Sequence, residues 1–315
     1  MPIASKLDPN EIHRLIPSPE PGRRLFLRGL PATVPRRGSV LYVHGGTFPS
    51  ATSVAHRIEG WSWRDALATA GFDVWGLDFH GFGRFSDPWP EQAEPALAHP
   101  PLCGCAVASA QLEAAARALR AEGGAENLSL IAHSWGSMVA GDLAGRCPDL
   151  IDRLVLFGPI ARRDGREQPR LPAWRLVTAE DQWRRFTADT PAGEAPVLPE
   201  AWFAAWAEAY LDGDPASRTR TPPAVATPCG PFQDIPDAWA GRLAYDPGRV
   251  RAPVAVIRGA WDSMCGDADA AWLLGALSGA ARRREAVVPR AGHLMHLETA
   301  RGELFRATAA FLSEG

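Results

Sequence analysis

The sequence predicts an α/β fold: a mostly parallel central sheet flanked by helices, with an inserted, mainly helical segment between core strands. Three observations predict it. Short apolar, β-branched runs recur at 39–43, 72–77, 128–131, 154–158 and 250–259, with helix-patterned stretches between most of them. These runs are too apolar on both faces to meet water, which suits parallel strands covered on both sides. The composition then changes at about Ala161, and as far as Tyr245 the chain is dense in Trp, Pro, Arg and Ala.

Taken in order, residues 1–22 are proline-rich without a sustained period and read as an extended lead-in. Residues 23–30 read as an early strand ended by Pro31. The run Ser39-Val40-Leu41-Tyr42-Val43 stops at His44-Gly45-Gly46, a central strand feeding a glycine loop. Residues 61–70 have helical spacing, Gly71 stops them, and 72–77 return as a strand. Asp78-Phe79-His80-Gly81-Phe82-Gly83-Arg84 follows as a second glycine loop. Residues 107–121, rich in Ala, Leu and Glu, form a helix closed by Gly123-Gly124. Leu128-Ser129-Leu130-Ile131-Ala132-His133-Ser134-Trp135-Gly136 is next: an apolar strand, a sharp bend at Ser134, and then a helical pattern. Such a bend needs small residues two before and two after the Ser, and Ala132 and Gly136 supply them.

Residues 161–245 are expected to be a helical cap, dividing the core into 1–160 and 246–315. Strand-like runs are absent from it, and Trp202, Trp206 and Tyr210 recur at helical spacing beside Phe203. With Trp174, Trp183 and Trp239, these aromatics either pack the cap onto the core or line an apolar pocket beneath it. The sheet pattern resumes at 250–259 and exits into Ala260-Trp261-Asp262. A helix over 269–277, a strand over 285–288, the exit Pro289-Arg290-Ala291-Gly292-His293 and a helix over 298–311 complete the chain.

Composition narrows the function. A net charge of −3 with 22% charged residues leaves no basic footprint for nucleic acid and no polybasic patch for a membrane surface. No apolar run reaches spanning length, and residues 1–20 have no apolar core that would serve as a signal peptide. Five cysteines, an odd number, do not look like a disulfide framework, and Cys103-x-Cys105 has no second Cys/His pair to make a zinc site. A cytoplasmic protein with no cofactor and no metal is the expectation. Its oligomeric state is not readable.

Every glycine-rich or acid-bearing loop named above follows a strand, so all can lie along one sheet edge, where sites form in open parallel sheets. Ser134, Asp262 and His293 converge there. A serine hydroxyl is a poor nucleophile at neutral pH and needs an imidazole to take its proton, and a carboxylate orients that imidazole. The oxyanion that develops needs N–H donors already aimed at it. The backbone N–H of Trp135 is one candidate, and that of Gly46 is the second.

These pieces resemble the α/β-hydrolases that carry a cap. His44-Gly45-Gly46, Asp78-x-x-Gly81-x-Gly83, Ala132-His133-Ser134-Trp135-Gly136, Gly259-x-x-Asp262 and Gly292-His293 followed by Glu298 stand in that family's order. The resemblance implies Ser134 as nucleophile, Asp262 as acid and His293 as base. Ala132 replaces the family's usual first glycine, and Phe85 interrupts its familiar Gly-Arg-Ser run. Relatives that open epoxides or displace halide carry Asp at the elbow, where this chain has Ser.

Rival residues have plainer roles. His296 lies beyond the strand exit that favours His293. His133 adjoins the nucleophile but points to another side of the turn, and His44 holds its own loop. Asp78 with His80 makes only two ligands for a metal. Asp267 and Asp269 sit where a helix cap is expected. Asp164 is the first carboxylate after the preceding strand, whose exit is Gly158-Pro159-Ile160-Ala161. The expected function is hydrolysis of a carboxylic ester of a small to medium, apolar or aromatic molecule through a Ser134 acyl-enzyme. A proline-iminopeptidase-like peptidase is the alternative; there His-Gly-Gly is usually followed by Pro-Gly, whereas Thr47-Phe48-Pro49 stands here. Lactonase, thioesterase and carbon–carbon-bond hydrolase chemistry use the same triad, and a ligand-binding, receptor-like member of the fold is the reading outside enzymes.

Overall fold

The computed structural model describes residues 8, 10–121 and 127–314. The first half holds β1 (Ile12–Pro17), β2 (Arg24–Leu30), β3 (Gly38–Val43), α1 (Trp63–Thr69), β4 (Phe72–Asp78), α2 (Cys105–Ala121), β5 (Leu128–His133), α3 (Trp135–Arg146) and β6 (Leu154–Phe157). Next come β7 (Trp174–Thr178), α4 (Ala179–Thr187), α5 (Glu200–Asp212), β8 (Ala224–Pro228) and α6 (Gly230–Trp239). The last part is β9 (Val254–Gly259), α7 (Asp267–Ala276), β10 (Arg283–Val288) and α8 (Arg301–Leu312). The Gly123-Gly124 stop expected after α2 lies outside the described residues.

Eight strands form one sheet in the order β1-β2-β4-β3-β5-β6-β9-β10. Only β2 runs against its neighbours, and every pairing from β4 to β10 is parallel. The unbroken apolar strands are explained by burial on both faces. Leu41 and Val43 of β3 belong to one core with Leu112 of α2, Met138 of α3 and Leu273 of α7. Val40 and Tyr42, pointing the other way, pack with Leu67 of α1 and Phe311 of α8. Alternate residues of one strand thus feed two separate cores.

Two elements depart from expectation. The lead-in contains β1, which pairs antiparallel with β2 from Ile12↔Gly29 to Pro17↔Arg24. It is an edge strand carrying His13 and Arg14 among its apolar residues, so it lacks the apolar run of the central strands. The segment between β6 and β9 has three helices but also a ribbon, β7 paired antiparallel with β8, where no strand was expected. Its strands are five residues each, and β7 exposes Arg175 and Leu176 while burying Val177, which leaves no apolar run to read.

The chain turns sharply at Ser134, between β5 and α3. Its φ of 52° and ψ of −124° put a non-glycine residue in a strained region. The bend brings α3 so close to β3 that a Cβ on Gly136 would lie 2.4 Å from the His44 carbonyl oxygen and 2.9 Å from that of Val43. Gly275 in α7 has no atom within 4 Å of the same position. Gly136→Ala is therefore expected to lower stability by about 1–3 kcal/mol through overpacking against rigid backbone. Gly275→Ala should raise it by about 0.5–1 kcal/mol by removing a flexible helix residue. Urea unfolding of both variants checks this, and shifts of the same sign contradict it.

Candidate active site

The carboxyl ends of β3, β5, β9 and β10 deliver the residues singled out in the sequence. β5 ends at His133 and the Ser134 N–H donates to the Phe157 carbonyl at 3.1 Å, which fixes the start of the turn to β6. The exits of β9 and β10 are zipped together, Ala260 N–H to the Val288 carbonyl and Trp261 N–H to that of Ala291, both at 2.9 Å. That pairing sets Asp262 and His293 side by side.

The Ser134 Oγ lies 2.8 Å from Nε2 of His293, and Nδ1 of the same ring lies 3.0 Å from each Asp262 carboxylate oxygen. An ionised carboxylate only accepts, so Nδ1 carries the proton and Nε2 is left as the acceptor facing Ser134. Asp262 is itself held by the N–H groups of Met264 and Cys265, at 2.9 and 3.1 Å from Oδ1. All three side chains are buried. Gly158, at the exit of β6, makes room for them. Its φ is +51°, and a Cβ there would stand 3.0 Å from His293 Nδ1 and 3.1 Å from Asp262 Oδ2. A glycine at a strand exit was visible in the sequence, but the crowding that requires it was not.

Gly46 and Trp135 adjoin one another: a Cβ on Gly46 would be 3.9 Å from that of Trp135. Neither N–H group donates to a described residue. The Trp135 side chain is fully buried against Phe79, and its Nε1–H donates to Asp234 at 2.7 Å, so it packs the elbow from behind.

The rival residues take other roles. His296 is buried, neither ring nitrogen has a hydrogen-bond partner among the described residues, and burial pushes it down to about 3. His133 stacks on Phe157, and its Nε2–H donates to the His293 carbonyl at 3.0 Å. His44 donates from Nδ1 to the Gly45 carbonyl at 2.7 Å and accepts from Phe79 N–H. Asp78 accepts from Ser50, whereas His80 meets Ser18 and the Asp87 carbonyl. Asp267 pairs with Arg258 and Asp269 with Arg163; Asp164 is exposed and pairs with Arg162.

Two carboxylates from the segment between β6 and β9 join the site and had no signal in the sequence. Asp189, just past α4, accepts from the N–H of His293 at 2.8 Å and from that of Ser263 at 3.2 Å. It therefore holds both loops that carry the Asp262–His293 pair. Asp234 of α6 accepts from Cys105 N–H as well as from Trp135, and burial pushes its carboxyl up to about 6.

Burial also pushes Glu298 up to about 8, from an ordinary 4.5, although its carboxyl accepts from Gly292 N–H at 2.8 Å. The folded protein thus keeps a proton there that the unfolded chain releases. Stability from this group is complete below about 4.5 and is lost as pH rises through about 8. Glu298→Gln, a permanent stand-in for the neutral acid, should flatten the fall in unfolding free energy across that interval. An unchanged slope contradicts the assignment.

Comparison with known proteins places the chain in a family. The model for the alpha/beta hydrolase fold matches residues 38–300, most of the chain, and the protein belongs to that family. A search of curated proteins returns no sequence match. Among solved structures, a serine hydrolase from the polyaromatic-hydrocarbon-degrading bacterium Cycloclasticus zankles is similar, with a TM-score of 0.65 at 15% identity over 96% of this chain and 97% of that one. An esterase from Exiguobacterium antarcticum superposes with a TM-score of 0.63 at 15% identity, covering 96% and 100%. A serine hydrolase involved in carbazole degradation gives 0.64 at 19% identity, covering 96% and 99%. At such identities these likenesses concern the fold.

Proposed function

We propose that this alpha/beta hydrolase cleaves carboxylic esters through an acyl-enzyme on Ser134, with His293 as base and Asp262 as its orienting acid. One observation carries the reading: the unbroken chain from the strained Ser134 through His293 to Asp262, at 2.8 and 3.0 Å. A turn held at φ 52° is costly to maintain, and its effect is to lift the hydroxyl out of the sheet beside the imidazole.

The steps follow from that geometry. The Ser134 oxygen attacks the ester carbonyl carbon as its proton passes to His293 Nε2, and Asp262 stabilises the imidazolium that results. The former carbonyl oxygen, now negative, is received by the free N–H groups of Gly46 and Trp135. The carbon–alcohol bond breaks as His293 returns the proton to the leaving oxygen. Water, deprotonated by His293 in the same way, attacks the acyl-enzyme and releases the acid and Ser134. No cofactor is needed.

Residues 161–245 act in this reading as a cap over the site. Pro231 supports it, since a Cβ on Gly46 would lie 2.8 Å from the Pro231 Cβ, so α6 begins directly over the proposed oxyanion loop. Phe48, two residues past Gly46, packs on Trp206 of α5 and Phe186 of α4, at 5.0 and 6.1 Å between ring centroids. These aromatic surroundings favour a small to medium, apolar or aromatic substrate.

Ser134→Ala is expected to reduce p-nitrophenyl ester turnover by about 10³-fold or more, since the triad acts as a unit. It should also abolish labelling by a fluorophosphonate. Hydrolysis retained at the wild-type rate refutes the assignment. An ester panel run beside a proline naphthylamide, a lactone and an acyl thioester identifies the preferred bond.

A further inference from the structure

The segment between β6 and β9 holds positive charge that has no partner. Gln182 of α4 is fully buried; among the described residues its amide nitrogen and oxygen make no close hydrogen bond, and its amide interacts with the Tyr210 hydroxyl. Arg185 is three residues further on the same helix, on the face Gln182 occupies. Its buried Nη1 also lacks a partner, and among the described residues the guanidinium makes no ion pair or hydrogen bond. Four arginines of this segment are paired by contrast: Arg163 with Asp269, Arg218 with Asp212, Arg220 with Asp214 and Arg242 with Asp237.

A second cation adds to the imbalance. The Arg175 guanidinium of β7 lies over the Phe232 ring at 4.1 Å, also without an ion pair among the described residues. Burial and the nearby Arg175 push Arg185 down to about 10, so it remains a cation at neutral pH. The acids whose fields reach these arginines are engaged. Asp181 caps Thr178, at 3.0 Å from its N–H and 2.8 Å from its hydroxyl, and Asp189 holds the His293 and Ser263 N–H groups.

The group stands beside the proposed catalytic centre. Asp189, one helical turn beyond Arg185, binds the His293 N–H, and Phe186, the next residue, packs on Phe48 of the Gly46 loop. Phe232 follows Pro231, which crowds Gly46, and the Arg185 charge is felt at His133, next to Ser134. A buried guanidinium without a counter-ion is destabilising, and a bound anion satisfies it. A planar carboxylate fits the arginine fork and also accepts from the Gln182 amide.

We propose that Arg185 and Gln182 form a carboxylate-binding subsite beside Ser134, so that the ester this protein hydrolyses carries a carboxylate away from the scissile bond. The substrate assignment rests on Ser134 being the nucleophile, whereas the subsite itself does not. Titration calorimetry on the full-length Ser134→Ala protein tests the subsite, using 4-phenylbutyrate against the neutral 4-phenylbutyramide. The carboxylate should bind about tenfold tighter or more, as expected for a charge-assisted contact. Adding Arg185→Met should bring the ratio to about 1, with Arg185→Lys between, and melting curves verify that each variant folds. Should the methionine variant fail to fold, Gln182→Leu and Arg185→Lys must each lower the ratio at least about threefold. Equal binding of the two ligands, or a preference that survives these changes, overturns the subsite.

Wild-type kinetics separate the two claims. Mono-p-nitrophenyl glutarate should exceed its methyl ester in kcat/KM, and Arg185→Met should collapse that ratio. Equal kcat/KM for both esters overturns the anionic substrate and leaves the Ser134 nucleophile standing. Carboxylate binding through Arg185 with turnover of neither ester, and no fluorophosphonate label, overturns the nucleophile and leaves the subsite standing.

Discussion

The contact between α3 and the end of β3 is the constraint on which the rest of the site depends. The strained backbone at Ser134 brings Gly136 against the His44 and Val43 carbonyls, an approach that no side chain at residue 136 would allow. Because β3 ends there, the loop that follows it is fixed relative to the start of α3, and Gly46 comes to lie beside Trp135. One close approach of backbone to backbone thus sets both the direction of the Ser134 hydroxyl and the placement of the Gly46 and Trp135 N–H groups beside each other. The strain is local, and it is offset by the two cores that hold β3 and β5 between helices on either face.

The segment between β6 and β9 is bonded to the loops along this edge of the sheet. Asp189 holds the loops bearing His293 and Asp262, Asp234 holds the Trp135 indole, and the Trp206 indole donates to the Thr52 carbonyl at 2.7 Å. Each of these bonds joins that segment to a loop that follows a core strand or to the helix that follows the elbow. In the proposed mechanism, the alignment of the base and the position of the acyl-binding surface are therefore coupled through one segment. The same segment contributes Arg185 and Gln182, so the proposed anion subsite on α4 lies next in sequence to Asp189, which supports the catalytic loops from just past that helix.

What the sequence disclosed depended on how local the signal was. The central strands and their glycine loops were readable because each is a short apolar run followed by residues with a distinct backbone requirement. Ser134 was singled out by the apolar strand before it, the small residues Ala132 and Gly136 and the helical pattern after it, and by the strand exits carrying Asp262 and His293. The ribbon of β7 and β8 was not readable, because Arg175 and Leu176 face solvent and nearby prolines imitate a loop. Asp189 escaped for a different reason: its partners are backbone N–H groups 74 and 104 residues away, which leave no pattern in side-chain spacing. Arg185 is one of 33 lysines and arginines, and only the fold distinguishes it, by pairing several neighbouring arginines with carboxylates while none among the described residues pairs with it.

The most direct test of the central claim is to trap the covalent intermediate. The wild-type protein, turning over p-nitrophenyl butyrate, is quenched in acid within milliseconds, digested and mapped by mass spectrometry. The account predicts a butyryl group on the peptide that contains Ser134, absent once substrate is exhausted. A butyryl group on another residue, or a product burst with Ser134 unmodified, contradicts it.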